Sequence, residues 1–377
     1  MSRKFPRLVT GRRSRQAMED NFARRTGLWR GCLVAVSRRR PTRDDVAARA
    51  GVSSAVVSYV LNGGPKPVTE DKRERVLAAV EELGYLPNEI ARSLAGQATQ
   101  SIGIIAPTLA NPVWATFAMG VSDVISEHDY LMIVCDVEDH PDLDQRYAQM
   151  MVAKRVDGVV LVPTANTPGT LAALDKGAIP VIVVEQDVAQ APCVIVDAQE
   201  SGYQVTKHLI ELGHTRIAIL REHRSSLDSW KRYLGYERAM QEAGLQVDPA
   251  LVADGAASID GSVVEGSIAA ANALLDVVPA PTAVFAHNDL MAIAVIHVAR
   301  GRGLKVPDDI SVVGVDDTDA GRYSDPPLTT LPFPARELGR EAGRRMLRAL
   351  SGDIGDRLSV LQTPPLVVRA STGPPPA

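Results

Sequence analysis

Between residues 102 and 315 the sequence repeats one pattern: short, apolar, β-branched runs alternate with amphipathic helical stretches. The runs fall at residues 102–106, 131–135, 158–162, 181–184, 216–220, 283–286 and 311–315. Continuous apolar strands separated by helices leave few ways to fold, namely parallel sheets with helices on both faces. The region carrying them spans roughly 270 residues, large for one open sheet, so two α/β lobes are expected. A chain of 377 residues has room for two or three domains in all.

Charge is spread unevenly. Residues 1–40 carry twelve Lys or Arg against Glu19 and Asp20 alone, residues 41–97 are nearly balanced, and everything after is acidic. This suggests a nucleic-acid end and a body that nucleic acid repels. Residues 1–40 show no clear period and are expected to form a basic, disordered extension. A translation start near Val36 is an equally open reading of that segment. No apolar run is long enough to span a membrane. The apolar stretch 27–36 is short and broken by Arg30, unlike a secretory signal, so a cytoplasmic location is expected. Cys32, Cys135 and Cys193 match no metal spacing and read as reduced thiols, the latter two as core residues of strands.

Residues 41–84 hold three short helical patterns. Thr42 suits the cap of a first helix, with Asp45 as the acidic partner of a capping box and Val46, Ala47 and Ala50 on its inner face. Gly51 permits a tight turn between steeply crossing helices, and Ser53 caps the second. Val57, Val60 and Leu61 lie at i, i+3 and i+4 and face inward. Ser54, Ala55, Ser58 and Tyr59 are then left on the face that a recognition helix offers to the major groove. Asn62 and Gly63-Gly64 end that helix. A third helix over 70–83 is expected to close the core through Val76, Leu77, Val80 and Leu83, stopping at Gly84. The pattern is that of a helix-turn-helix. Its outward face carries no basic residue, so base reading would rest on the hydroxyls of Ser54, Ser58 and Tyr59 and on Ala55 against a thymine methyl. Arg43, Arg49, Lys72 and Arg73 would attract phosphates.

Three segments, residues 41–53, 57–62 (Val-Ser-Tyr-Val-Leu-Asn) and 83–88 (Leu-Gly-Tyr-Leu-Pro-Asn), closely resemble the lactose-repressor (LacI/GalR) family of bacterial regulators. The resemblance runs from residue 41 to Thr372. It implies a helix-turn-helix domain at 41–87, a hinge helix at 88–97 and a ligand-binding and dimerising body at 98–372, built like a periplasmic binding protein. The body would divide into a first lobe, 101–196 and 333–362, and a second, 197–332 and 363–372, before a disordered tail at 373–377. The implied DNA-contact set is Thr42, Arg43, Ser53, Ser54, Ala55, Ser58, Tyr59, Asn62, Asn88, Ala91 and Leu94, with Leu94 as a wedge into the minor groove. Residues 88–95 are helix-compatible but two turns long, marginal as a helix in isolation, and apolar wedges between base steps kink DNA.

In open α/β sheets ligands bind beyond the carboxyl ends of strands. Glu185, Asn288 and Asp316 stand at such ends. The family resemblance adds Arg232 as a ligand-binding arginine and Trp114 and Phe333 as aromatics facing the ligand. Carboxylates, an amide and a guanidinium beside an aromatic face suit a sugar, nucleoside or similar polar metabolite. Asp289 and Asp317 read as structural caps, and Trp230 and His287 as rim residues. Gly261 stands where some family members place an aromatic against a sugar. No cofactor or metal site is expected.

The chain is thus expected to be a transcriptional regulator, most naturally a repressor. It would bind a palindromic operator as a homodimer under control of a small-molecule effector. An exported transport protein would have no use for residues 42–62. An enzyme on the α/β body would need a nucleophile elbow, phosphate loop or metal set, none of which the sequence shows.

Overall fold

The computed structural model describes residues 39, 41–62, 67–86, 98–137, 140, 142–164, 166–222, 227–255, 262–353 and 355–376. They form two compact units, divided after Glu89.

The first unit is three helices around one small core. Helix α1 (Arg43–Ala50) begins at Thr42, whose backbone N–H and hydroxyl both donate to Asp45 Oδ2 at 2.7 Å while the Asp45 amide donates back to the Thr42 hydroxyl, completing the capping box. Gly51 ends it with φ of 63°, a conformation that glycine adopts without strain. Helix α2 (Ser54–Asn62) starts from Ser53, whose Oγ accepts from the Val56 amide. Helix α3 (Glu70–Leu83) ends at Gly84, φ 60°. Val46, Ala47, Ala50, Val57, Val76 and Ala79 fill the core, with Val60, Leu61, Val80 and Leu83 around it. Leu77 departs from expectation. It is 46% exposed, because it lies about 100° around the helix from Val76 and off the stripe that 76, 79, 80 and 83 define. Tyr85, just past the glycine, packs into the core instead.

The second unit contains two parallel sheets. The first comprises β1 (Ser101–Ala106), β2 (Leu131–Asp136), β3 (Gly158–Leu161), β4 (Val181–Val184), β5 (Cys193–Val196) and β11 (Leu358–Leu361), in the order β11-β5-β4-β3-β1-β2. The second comprises β6 (Ile217–Arg221), β7 (Val252–Asp254), β8 (Ala283–Ala286), β9 (Ser311–Asp316) and β10 (Thr329–Pro332), ordered β10-β9-β8-β6-β7. Every strand pair in both is parallel. Strands β1, β3 and β8 are buried at every position, which explains their uninterrupted apolar sequence.

The first sheet is flanked by α4 (Pro112–Ile125), α5 (Leu143–Lys154), α6 (Thr167–Lys176) and α12 (Ala335–Leu350). Around the second lie α7 (Ala198–Glu211), α8 (Leu227–Glu242), α9 (Val263–Leu275), α10 (Asp289–Gly301) and the single turn α11 (Asp319–Arg322). The chain passes from the first lobe to the second after β5. It returns after β10, where α12 packs on α4 and over β3, β4 and β5. It crosses again after β11, because Val367 bridges Thr330 on β10.

At the start of the C-terminal tail, expected to be disordered over 373–377, Gly373 makes specific hydrogen bonds. The Gly373 amide donates to Ser311 Oγ at 3.0 Å, and its carbonyl accepts from Ser311 and lies 2.9 Å from Nε2 of the buried His214. Ser371, fully buried, accepts the Thr329 amide and donates to the Val312 carbonyl. Residues 371–373 thus complete hydrogen bonds at the start of β9, where the Val312 amide also donates to the Ser371 carbonyl.

Candidate functional site

Two places bring chemistry together. The first is α2 in the helical unit. Val57 is sealed in the core, which turns the opposite face outward: Ala55 is exposed, while Ser54, Ser58 and Tyr59 are half-buried. The Ser54 hydroxyl donates to Asp44 Oδ1 at 2.5 Å, so α1 fixes its direction. Arg43, Lys72 and Arg73 are exposed, whereas Arg49 is paired with Glu82 at 2.5 Å. That exposed pair is a weak one. Thr42 and Ser53 serve their helix N-termini as caps. Asn62 is the last residue of α2. Asn88, Ala91 and Leu94 lie outside the described residues.

The second lies at the carboxyl ends of both sheets. Glu185 follows β4 with φ of 60°, a left-handed conformation uncommon for a residue with a side chain. Its Oε1 accepts the Val196 amide at 3.0 Å. Asp316, the last residue of β9, also has positive φ, 129°. Its Oδ2 accepts from Asn111 Nδ2 at 3.3 Å. Asn111 caps α4 through its Oδ1, so one side chain ends a first-lobe helix and reaches a second-lobe carboxylate. The Phe333 amide donates to the Asp316 carbonyl, and the Phe333 ring meets Trp114 edge-on at 6.5 Å. Both aromatics rest against the first-lobe core with part of each ring still accessible.

Arg232 is buried on α8. Its Nη1 donates to the His287 carbonyl at 2.7 Å, its Nη2 pairs with Asp228 at 3.1 Å, and its Nε has no hydrogen-bond partner. Glycine brings it here: a Cβ on Gly202 of α7 would stand 2.0 Å from the Arg232 carbonyl oxygen, so only glycine lets the two helices approach this closely.

Electrostatics links these groups. Burial first, and then the Asp228 carboxylate, push the Glu185 carboxyl up to about 8, against the Val196 amide, Arg232 and Lys231. Burial, followed by Asp289, also holds the Asp316 carboxyl well above the usual range. His287 is driven well below its ordinary value by burial and by Arg232.

Of the six residues the sequence singled out, Trp114, Phe333, Asp316, Arg232 and Glu185 are thus joined by contact or by field. Asn288 is engaged otherwise. Its Oδ1 accepts the Met291 amide, making it the N-cap of α10. Asp289, expected as that cap, lies inside the helix and is fully buried. It accepts from the Thr318 amide and hydroxyl and from the Thr330 hydroxyl at 2.5 Å. Asp317, also expected to cap, pairs with Arg369 and Arg322. His287, expected at the rim, is buried, while Trp230 is 48% exposed and stacked on Tyr233.

Sequence reasoning passed over Asn111, Glu222 and Asp228 as site residues. Asp228 carried a usable signal, since a carboxylate four residues before an arginine on a helix faces it. Glu222 directly follows β6, the same placement that marked Glu185. Among the described residues no group of three His, Cys, Asp or Glu is placed to hold a metal, and no helix is long and apolar enough to cross a membrane.

Comparison with known proteins gives this geometry its context. The model for bacterial regulatory proteins of the lacI family matches residues 42–88, and that for a periplasmic binding protein-like domain matches residues 206–372. The chain is 35% identical over 335 residues to the HTH-type transcriptional regulator DegA of Bacillus subtilis (strain 168), covering 88% of this chain and 97% of DegA. It is also 35% identical over 337 residues to the HTH-type transcriptional repressor PurR of Haemophilus influenzae (strain PittEE), covering 88% of this chain and 98% of that repressor. The chain belongs to the LacI family.

Solved structures of this family share its architecture. The lac repressor dimer bound to operator and the anti-inducer ONPF superposes with a TM-score of 0.78 at 28% identity, over 89% of this chain and all of that one. The transcriptional regulator CelR in complex with cellobiose gives 0.67 at 31% identity, over 88% of this chain and all of CelR. This LacI-family chain is a transcriptional regulator with a helix-turn-helix head and a two-sheet α/β body; its relatives are regulators and not enzymes.

Proposed function

We propose that the chain is a repressor that binds a palindromic operator as a homodimer and is controlled by a small polar effector held between its two lobes. The observation that carries this reading is the pairing of an open recognition face on α2 with a polar cluster whose members come from both sheets of the body. A regulator needs both, because coupling between two sites requires two sites with distinct ligands. Relatives bearing the name repressor, and neighbours solved with operator, cellobiose or ribose, support it.

In this reading Ala55, Ser58 and Tyr59 meet base edges, with Ser54 held by Asp44. Arg43, Lys72 and Arg73 meet phosphates. Trp114, Glu185, Arg232, Asp316 and Phe333 surround the effector, a sugar, nucleoside or similar metabolite. A protein acting on chromosomal DNA works in the cytoplasm. Filter binding of full-length protein to genomic fragments tests the proposal. Retention of a discrete palindromic fragment, with steep salt dependence, is the expected result. Retention without sequence preference at low salt would overturn it.

A further inference from the structure

A serine hydroxyl on a DNA-reading face is ambivalent. It can donate or accept, and by itself it suits any base edge. At Ser54 the fold removes that ambiguity. The Ser54 hydroxyl, on the first residue of α2, donates to Asp44 Oδ1 at 2.5 Å. Its one proton is committed to α1, and only lone pairs remain for a second partner. Asp44 is exposed in the first turn of α1, and a carboxylate offers only acceptor oxygens. Ala55 beside them is exposed and adds no side-chain donor. The start of α2, the part of a recognition helix that comes nearest to base edges, thus presents two side-chain acceptors next to each other.

This arrangement matches one base best. On its major-groove edge guanine shows two acceptors, adenine an acceptor beside its amine, thymine an acceptor and a methyl, and cytosine an amine alone. Acceptors set against guanine would lose water and gain no partner, which costs binding free energy, whereas cytosine N4 can donate to them. A carboxylate so placed also weakens attraction to every phosphate nearby, so its contribution is discrimination rather than affinity.

We propose that Asp44 is a specificity-determining residue of the DNA-reading surface. With Ser54 it forms an acceptor pair that selects cytosine at one position of each half-site. This rests on the operator-binding reading above and deepens it. Asp44 lies on α1, outside the stretch that helical periodicity marks as reading bases.

The test is selection of DNA from a pool randomised across the binding site, with full-length protein and its variants, followed by filter binding of the selected fragment and its single-base changes. The parent should enrich cytosine at one position of each half-site and bind it about fivefold or more above guanine there. Asp44→Asn keeps an acceptor for the Ser54 hydroxyl and adds an amine donor. It should move the preference at that position toward adenine or guanine and leave the other positions unchanged. Ser54→Ala should reduce the same cytosine preference, and it carries the test if Asp44→Asn unfolds the head. The double substitution should cost no more selectivity than the larger single one, because the pair acts as a unit. Base preferences identical in the parent and both variants overturn the proposal. So does guanine in the parent at the position the variants change. A gain or loss of affinity equal for every sequence overturns it as well, since that is the mark of charge acting on phosphates or of a helix cap. These outcomes leave the regulator standing, because the parent still selects its site. A parent that enriches no sequence removes both readings.

Discussion

Glu185 concentrates what a single residue contributes here. Its position was legible in the sequence, because a polar residue directly after an apolar run of a parallel sheet falls at the ligand-facing edge. Its environment was not. Asp228 and Lys231 come from a helix more than forty residues later, and Val196 from the next strand. Burial raises the Glu185 carboxyl from its ordinary range to about 8, so the folded state holds a proton there that the unfolded chain releases near pH 4.5. Between those values the unfolded state binds fewer protons, and stability falls as pH rises. Glu185→Gln keeps the acceptor for the Val196 amide and removes the ionisation. In the unliganded state it should gain on the parent by about 1 kcal/mol or more on going from pH 5 to pH 8, read as a widening Tm difference. An advantage that stays flat with pH would refute the assignment. Asp289 makes the opposite case. Its three donors are satisfied inside the protein, so Asp289→Ala should cost roughly 3 kcal/mol in denaturant unfolding by orphaning Thr318 and Thr330.

At the scale of elements, the sequence resolved those whose signal is local. The helix-turn-helix carries its own caps and turn glycine, and α3 spans the expected residues 70–83. Seven apolar strands were likewise visible, and β5 (CVIV) only through Cys193. Strands β7, β10 and β11 were not. Each lies at a sheet edge with one neighbouring strand; VAD and LSVL are fully buried at no position, while TTLP is buried at three of its four positions but begins with two threonines in place of an apolar run. The fit between α7 and α8 belongs to this scale too. Gly202→Ala should separate the helices, lower stability by roughly 1–3 kcal/mol and displace Arg232. Thermal unfolding should show the loss, and effector affinity should fall together with it. An unchanged Tm would mean the helices close without the glycine.

At the scale of the whole molecule, the outer surface of the first lobe carries exposed apolar side chains. Leu131, at the start of edge strand β2, is 66% exposed, and Met119 on the adjacent α4 is 48% exposed. An edge strand and helix with apolar side chains in water favour association. If this face is the dimer contact, Leu131→Asp with Met119→Asp should weaken self-association by about tenfold or more in sedimentation at micromolar concentration. The body should keep its melting transition. A dimer unchanged by both substitutions would place the contact elsewhere.

By itself, the sequence determined the class of fold, the helix-turn-helix pattern and the polar residues at the strand ends, because periodicity, caps and turn glycines act within a few residues of one another. Only the tertiary structure decided which charges share the cleft. Asn111 meets Asp316 across 205 residues of chain. His287 and Glu222, from the ends of two different strands, meet each other beside the Asp228–Arg232 pair of α8. The same folding ties Gly373, just ahead of the terminal prolines, to Ser311 and His214. Burial and charge proximity are properties of assembled surfaces, and a linear sequence holds them only once the two sheets have brought their carboxyl ends face to face.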